Sequence, residues 1–345
     1  FFLPSGPWGG IVAMVLATVI WSAVCVVTFV FARATGARDY RSFFKALLGR
    51  GWVVFELAYI LFVILILAVF GAAAGAIGEA TLGWPKISGT LCLMAGIALF
   101  ATFGNTSVER LFKYVTFLLY GVYFLFVVFA LTRFGDRVVA NFAAPAPSDG
   151  WALGGLTYAS YNIIGAVVIL PVVRHLTSHR DAVVAGLIAG PLAMLPAMLF
   201  FICMVAYYPG IASETLPSDF LLARLGRPAF HLLFQLMIFS ALLESGTGAV
   251  HAINERVAKA WQVRRGEALS NPMRFGIAMA LLVGCMFLAD RFGLVALIAN
   301  GYRALAYIFL AVYVLPLMTV GLWWLRHRRQ NPGEALSRSS LEDSR

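Results

Sequence analysis

Two stretches of this chain place polar groups inside apolar surroundings. Five of the six residues from Thr157 to Asn162 carry a hydroxyl or an amide. On a continuous helix, consecutive residues point all around the axis, so some of these would face hydrocarbon. Unwinding there is the simpler solution, tolerated where backbone lines a cavity, and Gly154, Gly155 and Gly165 make a bend cheap. A half-helix starting after the break would aim its amides at a carboxylate, and the half ending there would offer carbonyls to an ammonium or a metal cation. Tyr158, Ser160, Tyr161, Asn162 and Gly165 are therefore candidate solute contacts, with Tyr161 a candidate gate. The alternative is an intact helix whose hydroxyls bond neighbouring backbone.

The second stretch runs from about Phe230 to Asn254 and contains one acid, Glu244. With Ser240, Thr247 and His251 it forms an i, i+4, i+7, i+11 stripe on one helix face. An ionised carboxylate at mid-bilayer is costly, so Glu244 is drawn toward its protonated form and reads as a candidate proton carrier. A static ion pair with Arg303 is the competing role. Arg303 itself has two readings. The 22 uncharged residues from Ala304 to Leu325 suffice to cross a membrane, which leaves Arg303 at the surface. If the helix instead starts at Gly293, then Asn300, Gly301, Tyr302 and Arg303 lie inside, and Asn300 and Tyr302 join the candidate solute contacts.

The elements that must hold these groups follow from composition. Of 345 residues, 61% are hydrophobic and 12% charged, and the mean hydropathy is +0.87. A soluble domain carries about twice that share of charge, so a water-soluble globule and disorder are both excluded. Reading from charge to charge gives nine apolar stretches: Trp8 to Ala32, Trp52 to Gly78, Lys86 to Glu109, Lys113 to Arg133, Asp149 to Arg174, Asp181 to Glu214, Phe230 to Asn254, Pro272 to Ala289, and Gly293 to Leu325. Lysines and arginines crowd the loops after odd-numbered spans, from Arg33 to Arg50, Arg256 to Arg274 and past Arg326. The positive-inside rule puts those loops and the C-terminal tail in the cytoplasm. The net charge of +10 is thus topological, and nucleic acid is not implied. The expected location is a bacterial cytoplasmic membrane, with lipid and a small solute as partners.

Lesser features have plainer readings. Cys25, Cys92, Cys203 and Cys285 are scattered in apolar runs with no metal-ligand spacing, and read as core residues. Glu56 lies close to the cytoplasmic boundary, within reach of water or Arg50. Gly71xxxGly75 and Gly186xxxGly190 read as close helix contacts. Asn105-Thr-Ser falls in a cytoplasmic loop and is discarded as a glycosylation signal, and residues 327–345 form a polar tail expected to be disordered.

An internal repeat organises the spans. Leu48-Gly49-Arg50 recurs as Leu225-Gly226-Arg227, an offset of 177 that also pairs Phe62 with Phe239 and Gly71 with Gly248. Each tripeptide follows a short amphipathic stretch and precedes a span, on opposite sides of the membrane, so the copies are inverted. The fifth span lacks a partner unless one lies before Phe1, a residue expected outside; the chain starts without methionine and Phe1 to Pro7 shows no signal-peptide features, so a missing upstream piece is expected. The pattern predicts a five-plus-five inverted repeat with its first helix absent. Residues 1–133 form the first repeat, lacking that helix, and 134–326 the second.

With Tyr158-Ala-Ser-Tyr-Asn-Ile-Ile-Gly165, Glu244-Ser-Gly-Thr-Gly248 and Phe292-Gly-Leu-Val in place, the chain resembles the amino acid-polyamine-organocation superfamily with its LeuT-like fold. It is more similar still to bacterial membrane proteins of the YkvI type, which have no settled activity to carry over. The resemblance implies alternating access around a central site. It also implies that hydroxyls of the seventh span, Ser245 and Thr247, can serve a sodium ion, so the coupling ion is a proton or sodium and no other cofactor is expected. The absent first helix would supply half of that site. No HExxH pattern or GxSxG elbow is present, and Ser245 and His251 do not face each other, which argues against an enzyme. The expected function is secondary transport of a small amino-acid-like or amine solute. The alternative is a scaffold, sensor or channel that keeps the fold.

Overall fold

In hydrocarbon every backbone polar group needs an internal partner, which leaves helices to a chain without strand alternation. The computed structural model describes residues 1–103 and 106–330, and side chains apart from those of 103–112 and 328–330. Asn105 of the Asn105-Thr-Ser tripeptide and the tail from residue 331 lie outside the described residues. Among the described residues every regular element is helical: α1 (Gly6–Thr35), α2 (Tyr40–Leu48), α3 (Trp52–Leu82), α4 (Lys86–Phe103), α5 (Thr106–Ala143), α6 (Trp151–Asn162), α7 (Gly165–Val168), α8 (Leu170–Val173), α9 (His179–Val205), α10 (Pro217–Leu225), α11 (Pro228–Arg265), α12 (Asn271–Ala296), α13 (Tyr302–Phe309) and α14 (Leu322–Gln330). Six segments of the described residues are long and apolar enough to cross a membrane, beginning at Leu3, Tyr40, Lys113, His179, Pro228 and Asn271. The protein is an all-α, membrane-embedded protein. Lys86–Thr102 is apolar but shorter, and the stretch from Trp151 to Val173 is divided into three pieces.

The last of the six segments, Asn271–His327, has 57 residues. As one straight helix it would measure about 85 Å, well past the ~30 Å of a bilayer core. It bends at Gly293, whose φ of 72° and ψ of 167° are non-helical. That is the boundary expected between the eighth and ninth spans. Beyond it the helix continues through π-helical turns at Leu297–Gly301, Leu310–Val314 and Leu317–Gly321.

The order of elements repeats. α2 and α10 are both nine-residue helices, and both end on a glycine of positive φ, Gly49 at 57° and Gly226 at 67°. A long helix follows each within three residues, as α3 and α11. These two glycines are separated by the same 177 residues as the Leu-Gly-Arg pair.

The helices gather into two compact units. The first comprises Phe1–Tyr59, Ala146–Met198 and the chain from Arg303 on; the second comprises Ile60–Pro145 and Leu199–Tyr302. In the first unit α1 is the central pole. Going along it, Gly6 meets Pro147, Ala13 meets Gly155 and Trp21 meets Gly165, while Arg33 donates to Thr177 O at 2.8 Å. The stretch from 147 to 177 therefore runs parallel to α1 for its whole length. α9 returns antiparallel on another side, with Gly186 against Val26, Gly190 against Ser22, and Ser22 Oγ donating to Leu187 O at 2.9 Å. Those two glycines admit the close approach expected of a small-xxx-small pair. Near Thr35 an aromatic cluster seals the unit. Phe43 and Phe44 of α2 are buried against Phe31, Phe55 and Tyr313, and the Phe44 and Phe55 rings stack at 3.4 Å between centroids. Asp39 starts α2 by accepting from the Ser42 amide at 2.9 Å in a capping box. Glu56 takes Tyr40 Oη at 3.0 Å and Arg41 at 3.7 Å, so its basic neighbour is Arg41 rather than Arg50.

In the second unit α4 is the hub, packed on α3, α11 and α12. Thr90 Oγ1 of α4 donates to Gly71 O at 2.8 Å, and Gly75 and Gly89 let α3 and α4 approach with backbone in contact. Gly248, the repeat partner of Gly71, faces open space instead. Cys25, Cys203 and Cys285 are buried as expected, but Cys92 is exposed on α4.

Candidate functional site

The polar run of the fifth stretch does not unwind where its composition suggested. Thr157 to Asn162 are the last residues of α6, and they stay helical because their side chains find partners on their own helix. Ser160 Oγ donates to Leu156 O at 2.6 Å and Asn162 Nδ2 to Tyr158 O at 3.0 Å, both four residues back. The interruption comes one step later, at Ile163 and Ile164. Ile163 N–H still bonds Ala159 O four residues back, then Ala166 N–H goes to Ile163 O and Val167 N–H to Ile164 O, each three residues back, before four-residue bonds resume with Val168 N–H to Ile164 O. Both isoleucines keep right-handed angles, so the break is a tightening into 3₁₀ turns. A second follows at Ile169, ahead of Pro171.

Depth can be read from α1. Gly165, the first residue of α7, faces the Trp21 ring, and a methyl group there would sit 3.6 Å from it. Trp21 lies at the middle of α1, so the interruption falls halfway along a helix able to span. Gly154 and Gly155 serve another purpose than bending. A side chain at Gly155 would strike the Ala13 carbonyl, and one at Gly154 the Phe1 carbonyl. Tyr158 and Tyr161 pack edge to face with ring centroids 5.6 Å apart, and the Phe1 and Phe2 rings close over them at 5.6 and 4.7 Å respectively. Ser160 is buried, whereas Tyr158, Tyr161, Asn162 and Gly165 are half-buried. Arg303 belongs to this unit too, with an exposed side chain.

Asn300, Tyr302, Glu244, Ser245 and Thr247 belong to the second unit. Asn300 closes on the exposed side of a π turn and Tyr302 is buried, while Gly301 packs against Leu65. Along α11 the predicted stripe divides. Ser240 spends its proton on Leu236 O at 2.8 Å, His251 is exposed, and Glu244 is half-buried. Ser245 points outward. Thr247 turns inward beside Gly246, which lies against Ile97 of α4. The Thr247 hydroxyl has no partner among the described residues. Seven residues on, Asn254 is fully buried and neither its Oδ1 nor its Nδ2 has one either. Asn254 was missed because the charges beginning at Glu255 appeared to end the span; its i+7 spacing from Thr247 was the available signal.

The second unit also holds a cavity of about 540 Å³ that no local motif announces. Glu79 and Lys86 come from the ends of α3 and α4, Glu214 and Asp219 from the lead into and first turn of α10, and Asp290 from α12. Glu79 Oε2 meets Lys86 Nζ at 3.4 Å. Asp219 is fixed through one oxygen, with the His231 ring Nε2 at 2.6 Å and Gln235 Nε2 donating at 2.7 Å. Four carboxylates against one ammonium make this space attractive to cations.

Comparison with protein-family models gave no match, and comparison with curated proteins gave none either.

Proposed function

We propose that this protein is a secondary transporter that moves a small amino-acid-like or amine solute by alternating access. The observation that carries the reading is the 3₁₀ interruption at Ile163 and Ile164, halfway along α1, in a stretch that accompanies α1 from end to end. Broken helices at mid-depth are how many transporters expose backbone groups to a solute. The recurring order of a nine-residue helix, a glycine and a long helix supports a repeat, read here as the inverted five-plus-five arrangement of the LeuT-like fold. In that reading nine spans come from this chain. Gly293 divides Asn271–His327 into two, and Lys86–Thr102 and the broken stretch 151–173 add the others. The basic loops face the cytoplasm of a bacterial cell, and the C-terminus lies with them.

The solute would contact Tyr158, Ser160, Tyr161, Asn162 and Gly165 of the first unit. Glu244 would carry a proton, or Ser245 and Thr247 would serve a sodium ion. Arg303 would set the local charge. The self-bonded Ser160 and Asn162 favour the second reading, a scaffold or sensor that keeps the fold without moving a solute. Two experiments separate these. A thermal-shift screen of the common amino acids and short alkyl amines, with and without sodium, identifies a stabilising solute, because binding raises apparent stability by mass action. Uptake of that solute into proteoliposomes is then measured under imposed pH and sodium gradients. The transport reading fails if uptake ignores both gradients and is unchanged by Glu244→Gln.

A further inference from the structure

Within the first unit, at the basic end of α1, lies a groove of about 370 Å³ that the transport reading does not use. Its walls are apolar: Val26, Val27, Val30 and Ala34 from α1, Val183 from α9, and Leu322 and Leu325 from α14. Its rim is basic, formed by Arg33, His179 and Arg326. Aromatic residues fix its depth. Trp323 is largely exposed beside His327, and Trp324 packs edge to face on Phe31 with centroids 5.4 Å apart. Tryptophans of this kind favour the headgroup level, so the valines lie on the hydrocarbon side and the arginines at the phosphates.

We propose that this groove is the seat of one anionic phospholipid, with an acyl chain along the valine and leucine walls and the phosphate between Arg33 and Arg326. Arg33 is already oriented, since it donates to Thr177 O at 2.8 Å. A guanidinium has five N–H donors, so that bond leaves others for a phosphate oxygen. Charge complementarity selects the occupant. An apolar slot alone accepts any lipid tail, but two arginines over its mouth favour a headgroup of net negative charge, as basic pockets between spanning helices do.

The test is native mass spectrometry of the full-length protein, delipidated in detergent and titrated with phosphatidylglycerol or phosphatidylcholine of identical chains. The expected result is retention of one phosphatidylglycerol at least about five-fold more tightly than phosphatidylcholine, the factor that one arginine near a headgroup contributes. Arg326→Gln should lower that preference about five-fold, and Arg33→Gln likewise. Val30→Trp should fill the groove and reduce retention of both lipids. Because Arg33→Gln also removes the bond to Thr177, Arg326→Gln decides the outcome if the Arg33 variant does not fold. Equal retention of the two lipids by the unaltered protein overturns the proposal, as does a preference undiminished by Arg326→Gln. Competition by inorganic phosphate alone, with retention unaffected by Val30→Trp, would also overturn it.

Discussion

The hydroxyl pair joining α1 to the last π-helical turns offers a quantitative test of the first unit. Thr28 and Tyr313 are both fully buried, with Oγ1 and Oη 2.6 Å apart. Thr28 Oγ1 already donates to Val24 O at 2.7 Å. A threonine hydroxyl has one proton, so Tyr313 must be the donor of the pair. Tyr313→Phe then removes a donor and leaves Thr28 bonded to its own helix, at a cost of about 1 kcal/mol. Thr28→Val removes the acceptor and strands a phenol hydroxyl, at a cost of about 1 to 3 kcal/mol. The double variant has no stranded group and should be no less stable than Thr28→Val alone. Coupling between the two should fall near the ~0.6 to 1.7 kcal/mol seen for hydrogen bonds between membrane helices. Thermal unfolding of the purified protein in detergent measures this, with about 2 to 4 °C expected per kcal/mol. Strictly additive losses, or a Tyr313→Phe loss as large as that of Thr28→Val, would refute the assigned donor direction.

Other outcomes follow from the same geometry. Gly190→Ala drives a methyl group into the Ser22 side chain and Thr18 carbonyl, so stability should fall by the ~1 to 3 kcal/mol of an overpacked contact, read as a lower melting temperature. Gly121→Ala on α5, where nothing lies within 4 Å, should be neutral or stabilising by up to ~1 kcal/mol. Asn254→Leu replaces a fully buried amide that has no partner among the described residues; stability in detergent should rise by about 1 kcal/mol or more. Breaking the Arg274 to Glu255 contact, 2.6 Å long and partly exposed, with Arg274→Gln should cost no more than ~1 kcal/mol and should matter less as salt is raised.

Much of the helical layout is readable from uninterrupted apolar length, since a hydrocarbon solvent leaves the backbone few options. The segment from Asn271 bends at Gly293, where Asp290 and Arg291 precede a residue that can adopt positive φ. The two Leu-Gly-Arg tripeptides mark two nine-residue helices for the same reason, their glycines being the C-terminal stops. What composition misplaces is the break in the helix. Polar residues from Thr157 to Asn162 look like a place to unwind only if each hydroxyl needs an outside partner. Ser160 and Asn162 reach back one turn and satisfy themselves. The break then passes to Ile163 and Ile164, whose branched side chains are poorer helix formers and whose successor is a glycine set against Trp21.

The acidic cavity was unreadable for a different reason. Glu79, Glu214, Asp219 and Asp290 come from three distant parts of the chain, and a loop-by-loop tally of charge records only that each loop is nearly balanced. Convergence of those loops through α3, α10 and α12 turns three balanced loops into one unbalanced space. Residues defined by spacing along one helix, such as Thr247 and Asn254, can be anticipated from sequence with the right period. Those defined by the meeting of helix ends require the fold.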